Sequence, residues 1–319
     1  MSSPSPPTLA HRIENALVGG LHGIMRVLPE PLALALGWSL GWVIGSILRI
    51  RRSTVERNLE TAFPDRDQRW RRRVASRVLP HIARESVMLL RMAGMSAEDL
   101  HRRTEAVGLD ALLEATRRGE GAIILTGHLG NWEISGGAAA VRGLPLDVVA
   151  KMQKNPLVEE RILQMRESMG MRVIHRHRAP REVLRSLRQG RAVALVADQD
   201  ARSSGIFVDF FGRPASTARG PGLFAARSGS PVFLAVPERL PGLRGRYRVT
   251  FEPMEVPSEP DRDAFVEGFT QEYMRHLERA IRRAPEQYFW VHRRWKTRPP
   301  EPTPLPGTEP GERGAARDV

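Results

Sequence analysis

Ala122-Ile123-Ile124-Leu125-Thr126 runs directly into Gly127-His128-Leu129-Gly130-Asn131-Trp132-Glu133, and the chain is read outward from that junction. The first five residues are an apolar, β-branched run of the kind that forms a buried strand. Ile134 to Val141 continues as a helix. His128 therefore stands where a strand ends and a helix begins, with Gly127 and Gly130 freeing the backbone to turn sharply around it. Glu133 falls in the first helical turn, where the positive end of the macrodipole favours an ionised carboxylate. Its position five residues on predicts that it folds back on the imidazole.

A carboxylate that accepts the proton of one ring nitrogen fixes the tautomer and leaves the other nitrogen free as a base. Such a base can take the proton of an alcohol as the alcohol attacks a carbonyl. The chain has no cysteine, which removes disulfides, thiol catalysis and cysteine metal sites. Gly37-Trp38-Ser39-Leu40-Gly41 matches a nucleophile-elbow pattern but lies inside an apolar helix rather than at a strand-to-helix turn. Direct acyl transfer with His128 as base is the chemistry these residues support. The plain alternative is a histidine that caps a helix or satisfies a loop carbonyl.

The 319 residues supply ample core for one large domain or two small ones. A formal charge of +13 predicts acidic partners: nucleic acid, an anionic membrane surface or an acidic carrier protein. Nucleic-acid binding is set aside, because no helix-turn-helix, zinc finger or basic stripe with interleaved aromatics is present. The histidines lack metal-ligand spacing, and Asp198 with Asp200 is a pair of acids without further ligands. No metal and no cofactor is predicted.

Residues 1–10 are Ser- and Pro-rich and read as disordered. From Ile13, the positions Ile13, Leu17, Leu21, Ile24 and Leu28 recur at helical spacing, as in an interfacial helix or an ordinary packed one. Pro31 to Leu48 carries no charge and is followed by Arg49, Arg51 and Arg52. Eighteen helical residues reach about 27 Å, just short of a hydrocarbon layer of about 30 Å. Residues 31–48 thus read as a marginal transmembrane helix with the rest of the chain on the cytoplasmic side, or as a buried core helix. Residues 1–48 form the membrane-associated segment, 49–298 the catalytic domain and 299–319 a disordered Pro-rich tail. Gly37, Gly41 and Gly45 make a small-residue stripe that could meet another helix. In the basic run Arg66 to Arg77, Trp70, Val74, Val78 and Ile82 mark one helical face.

Beyond Gly121, strands are predicted at Ala122–Thr126, Asp147–Ala150, Arg172–Ile174, Ala192–Ala197, Val232–Val236 and Arg248–Phe251. Helices are predicted at Trp132–Val141, Leu157–Met169, Pro180–Arg188, Arg219–Ser228 and Arg262–Arg283. Such alternation gives an α/β fold, a sheet covered by helices.

Several further stretches accompany the junction: Arg57-Asn58-Leu59 through Phe63-Pro64, Asn155-Pro156 with Arg166, and Asp198-Gln199-Asp200 through Gly205. Phe207, Phe210-Phe211-Gly212, Pro214-Ala215 and Thr217 follow, and then Pro285 to Arg298. In this order, across most of its length, the chain resembles the bacterial lipid A biosynthesis acyltransferases, the late lauroyl and myristoyl transferases. The resemblance implies a mixed sheet flanked by helices, like that of glycerol-3-phosphate acyltransferases, behind an N-terminal membrane helix. It implies transfer of a fatty acyl chain from acyl carrier protein to a hydroxyl of a lipid A precursor at the cytoplasmic face of the inner membrane. His128 and Glu133 match the family's catalytic histidine and acid. Asn131, Arg166, Asp200 and Thr217 are carried over as substrate-binding residues, with backbone groups near Gly130 and Asn131 or the Arg166 guanidinium as oxyanion donors. Asp200 would orient an active-site arginine or the acceptor headgroup; its plain alternative is capping of a turn. Relatives in the same superfamily acylate phosphatidylinositol mannosides and other glycolipids, some from acyl-CoA, and both alternatives stay open here.

Overall fold

The structure, a computed structural model, describes residues 7–259 and 261–300. The predicted disorder at residues 1–6 and in the tail from residue 301 lies outside the described residues. Helix α1 (Leu9–Val27) begins inside the span read as disordered, because the Thr8 hydroxyl accepts the His11 N–H and caps it. Helix α2 (Glu30–Trp42) passes into a π-helical turn at Val43–Ile47. Helices α3 (Arg52–Ala62), α4 (Gln68–Met92) and α5 (Ala97–Arg103) complete a helical layer ahead of the first strand.

The alternating region comprises β1 (Thr104–Val107), α6 (Leu109–Arg117), β2 (Ala122–Thr126), α7 (Trp132–Ala140), β3 (Leu146–Ala150), α8 (Pro156–Ser168), β4 (Arg172–His175), α9 (Ala179–Arg188) and β5 (Ala192–Val196). A hairpin of β6 (Ile206–Phe210) and β7 (Arg213–Thr217) precedes α10 (Gly220–Ser228), β8 (Val232–Arg239), β9 (Tyr247–Met254) and α11 (Arg262–Arg283). Seven strands form one mixed sheet in the order β1-β9-β8-β2-β5-β3-β4, antiparallel only between β8 and β9. β2 and β5 lie side by side and parallel, with Ala122 opposite Ala192 and Thr126 opposite Val196. All five residues of β2 are buried, as a central parallel strand covered on both faces requires. One apolar cluster, on α4, α11 and the hairpin, covers one face; a second, with Met88, Leu112 and Ala138, covers the other.

The small-residue stripe has a packing role. A Cβ on Gly41 would stand 2.5 Å from the Leu79 carbonyl oxygen and 2.6 Å from Pro80 Cα, so α2 and α4 approach backbone to backbone. Gly37 lies against the Val87 side chain and the Ala83 carbonyl, and Gly45 against the Leu79 side chain. Glu30, at the start of α2, is buried against Arg103 at 2.6 Å and accepts the Gly245 N–H. Residues Glu30–Ile47 are long and apolar enough to cross a membrane by length and composition, yet a third of that stretch is buried on the protein. The opposite face, with Leu32, Leu36 and Leu40, is exposed. On α1 the predicted apolar row is turned outward: Ile13, Leu17, Leu21 and Ile24 are all exposed. Its polar edge holds the helix to the domain, through Asn155 to the His11 carbonyl and Glu14, and Arg161 to Asn15.

Candidate active site

The register of the two central strands builds the site. His128 and Asp198 each lie two residues beyond the end of their strand, and Thr126 is level with Val196, so the parallel strands deliver the two side chains to the same height. Asp198 Oδ1 lies 2.6 Å from His128 Nδ1, and Oδ2 accepts the His128 backbone N–H at 2.8 Å. Gly130 is required by space, since a Cβ there would sit 2.2 Å from the Pro237 carbonyl oxygen; one on Gly127 would press on the end of the Leu277 side chain at 2.7 Å. Gly130 also takes φ +54°, which favours glycine. The imidazole is packed by Trp132 at 4.8 Å between centroids and Phe289 at 5.8 Å, while Gln199 Nε2 lies 3.3 Å from Nε2.

Burial works against protonation of His128, but the charge and hydrogen bond of Asp198 outweigh it and raise the ring above its ordinary value. Burial likewise opposes ionisation of Asp198. The His128 ring, the His128 N–H and the charge of Arg294 overcome that and hold the carboxyl below the usual carboxylate range. The pair is thus an imidazole oriented through Nδ1, with the Gln199 amide beside Nε2.

This corrects the expected tether. Glu133 does not reach the ring: Arg166 from α8 grips its carboxylate with two hydrogen bonds, Nε to Oε2 at 3.0 Å and Nη2 to Oε1. A guanidinium matches a carboxylate fork for fork, whereas Asp198 arrives in line with Nδ1 from the adjoining strand. Of these two acids, Asp198 holds the imidazole and Glu133 holds Arg166.

The remaining predicted residues divide. Asn131 caps α7 by accepting the Ile134 N–H and donates to Glu85, so it is buried at the cavity wall as a structural hinge of the motif. Thr217 is completely buried and its hydroxyl accepts from Arg294, which removes it from contact with a substrate. Asp200 accepts the Thr297 hydroxyl at 2.9 Å and the Arg202 backbone N–H at 3.4 Å, and its own N–H donates to His292 Nε2; it caps the following turn and fastens the C-terminal segment, and among the described residues no guanidinium bonds it. That segment, Pro285 to Lys296, packs against the site: the Phe289 N–H donates to the His128 carbonyl, and Asn58 donates to the carbonyls of Trp290 and His292.

A cavity of about 180 Å³ opens beside His128, walled by α4, the junction loop and the C-terminal segment. Ile82, Leu89, Trp132 and Phe289 give it an apolar lining; His81, Glu85, His128 and Glu133 are its ionisable groups. Below it, Glu85 accepts from Tyr247 at 2.7 Å and pairs with the buried Arg239 at 3.3 Å, a network absent from the sequence-derived candidates.

The profile of the family described as bacterial lipid A biosynthesis acyltransferase matches residues 8–297. The chain belongs to that family. A lipid A biosynthesis acyltransferase of Haemophilus influenzae is 26% identical over 257 residues, covering 80% of this chain and 79% of the relative. A lipid A biosynthesis lauroyltransferase of Escherichia coli is 27% identical over 279 residues, 85% of this chain and 88% of the relative. A phosphatidylinositol mannoside acyltransferase of Mycobacterium tuberculosis is 34% identical over a shorter stretch of 150 residues, 45% of this chain and 48% of the relative. As a lipid A biosynthesis acyltransferase family member the protein is an enzyme that transfers acyl groups.

Proposed function

We propose that the protein moves a fatty acyl chain from the thioester of acyl carrier protein to a hydroxyl of a lipid A precursor, with His128 as general base. The observation that carries this reading is the His128–Asp198 pair at the edge of an apolar-lined cavity. His128 Nε2 takes the proton of the acceptor hydroxyl as its oxygen bonds to the thioester carbonyl carbon. The C–S bond then breaks, and the departing thiolate takes the proton back from Nε2. Asp198 steadies the imidazolium between the two steps. Glu133 acts through Arg166: their paired side chains fix one wall of the cavity and keep a guanidinium next to it.

The outward apolar row of α1 and the exposed Leu32, Leu36 and Leu40 of α2 support attachment to a membrane. Because α2 packs along α4, and α4 borders the cavity, a crossing α2 would draw α4 and its buried ion pairs into hydrocarbon. The reading is that both helices lie in the interface of the inner membrane at its cytoplasmic side. The net charge of +13 suits anionic lipid and an acidic carrier.

The test supplies membranes containing the wild type or His128→Ala with acyl carrier protein or CoA thioesters, and with a lipid A precursor or a phosphatidylinositol mannoside. Transfer from the carrier thioester to the lipid A precursor, lost in the variant, is the expected result. Preference for CoA or for the mannoside overturns the donor or the acceptor, and equal activity of the two proteins overturns the base.

A further inference from the structure

The side chain of Gln199 stands where the acceptor hydroxyl has to arrive. Its amide nitrogen lies 3.3 Å from His128 Nε2, the ring nitrogen that Asp198 does not hold. Asp198 faces Nδ1 at 2.6 Å and keeps the ring proton there, which leaves Nε2 with a lone pair and no hydrogen. The amide therefore donates to Nε2. At 3.3 Å the bond exceeds the usual length of about 2.9–3.0 Å for an N–H donor, and the amide makes no other hydrogen bond among the described residues.

The chain on either side is pinned. Asp198 is tied to the ring and backbone of His128, and Asp200 donates its N–H to His292 Nε2 while its carboxylate accepts the Thr297 hydroxyl. Gln199 is thus a lightly held side chain on a fixed backbone, able to leave Nε2 by turning about its own bonds. It takes no part in lining the cavity of about 180 Å³. With Asn58, Tyr288, Trp290 and Arg294 it closes a separate gap beside the ring, and that gap has no space for a water molecule. Keeping water away matters here, because a base that activates an alcohol activates water as well.

We propose that Gln199 is a latch on the base that selects the acceptor over water: its amide holds Nε2 until the acceptor hydroxyl displaces it. The assignment rests on the acyl-transfer reading above. Without the latch, Nε2 takes a proton from water as the water oxygen bonds to the thioester carbonyl carbon. The C–S bond then breaks, the thiolate takes the proton back from Nε2, and a free fatty acid leaves. With the latch, that loss is confined to the moments when the amide has turned away, while a seated acceptor supplies its own hydroxyl to Nε2. Gln199 is a positioning residue in this scheme, since it touches the base and not the reacting carbonyl.

The experiment uses full-length wild type, Gln199→Ala and Gln199→Glu, purified in detergent, with His128→Ala as background. Fatty acid release from the acyl carrier protein thioester is measured without acceptor, and acyl transfer with a lipid A precursor. Above background, Gln199→Ala is expected to hydrolyse the thioester about three- to tenfold faster than wild type, the weight of one net hydrogen bond. Its KM for the acceptor should fall by a similar factor, with kcat within about threefold. Gln199→Glu tests the placement: a carboxylate beside Nε2 favours the imidazolium and moves the acid limb of transfer to higher pH. The other ionisable groups around the ring stay the same, Asp198, Tyr288, His292 and Arg294 in the gap and His81, Glu85 and Glu133 on the cavity side. A purely structural Gln199 would leave the ratio of hydrolysis to transfer unchanged. Hydrolysis by Gln199→Ala no faster than wild type overturns the latch, as does an unmoved acid limb in Gln199→Glu. A wild type that neither transfers the chain nor releases fatty acid overturns the acyl-transfer reading itself, an outcome distinct from equal hydrolysis in wild type and variant.

Discussion

Replacing Asp198 by Asn tests the site more sharply than removing the base. Asp198 makes two bonds to one residue: Oδ2 accepts the backbone N–H of His128 at 2.8 Å, and Oδ1 faces Nδ1 at 2.6 Å. The backbone N–H can only donate, so an amide at position 198 must turn its oxygen toward it. Its NH2 then faces Nδ1. Nδ1 is forced to accept, the ring proton moves to Nε2, and the nitrogen that should take the substrate proton is already protonated. A wrong tautomer of this kind costs about 10⁴-fold in kcat in a serine protease, and with a partly solvated ring a loss of about 10³–10⁴ is expected here. That equals about 4–5.5 kcal/mol of transition-state stabilisation. The residual activity carries a second signature. The carboxylate contributions that raise the His128 pKa are gone and burial, which lowers it, remains, so the acid limb of kcat shifts to lower pH. Stability follows the same linkage. The wild-type pair's contribution from His128 is complete below the unfolded value of about 6.5 and fades as pH rises through the raised folded value, so the stability gap between the proteins narrows in alkaline buffer. Single-turnover acyl transfer from a radiolabelled thioester, with melts at several pH values, reads both. An Asp198→Asn enzyme within threefold of wild type would mean that the carboxylate does not set the tautomer.

Two further substitutions separate roles that the sequence had merged. Glu133→Gln breaks the Glu133–Arg166 pair, whose side chains are 12% and 13% exposed, and is expected to destabilise the protein by about 1–3 kcal/mol and to lower turnover. Because Glu133 makes no bond to the ring, the acid limb of its pH profile should coincide with that of wild type; a shifted limb would restore Glu133 as the partner of His128. The double variant Leu17→Glu, Ile24→Glu puts two charges on the exposed row of α1 without touching the polar edge that holds the helix. It should melt like wild type and lose flotation with anionic vesicles, and undiminished flotation would show that another surface provides the attachment.

The central sheet was legible because its strands announce themselves. Ala122–Thr126 and Ala192–Val196 are short apolar runs bounded by turns, and both predicted spans agree with the structure to within a residue. Strand β1, Thr104–Val107, was missed because half of it faces solvent, so Glu105 interrupts any apolar run, and its pairing with β9 is supplied from 143 residues away, as at Glu105 with Arg248. The β6–β7 hairpin was hidden by Pro214 and by aromatic residues that read equally well as core. On α1 the spacing located the helix but could not say which way its apolar row would face. Facing is decided by polar contacts with α8 and the loop before it, distant in the chain.

The identity of the acid partner was present in the sequence in a form that local spacing does not expose. Glu133 is near His128 in the chain; Asp198 is 70 residues away but occupies the same place relative to its own strand, two residues past an apolar run of five. In a parallel sheet neighbouring strands end on the same side, so residues equally far beyond two adjacent strands meet. What the sequence withheld was that β2 and β5 are neighbours, since β3 and β4 intervene in the chain yet lie beyond β5 in the sheet. Given that strand order, the choice between the acids follows from electrostatics. Arg166 forms a planar fork with Glu133 on the helical layer, while among the described residues no guanidinium hydrogen-bonds the carboxylate of Asp198, whose two oxygens meet the ring and backbone N–H of His128. A base needs an acid whose charge is not already spent, and the fold provides one by register rather than by proximity in sequence.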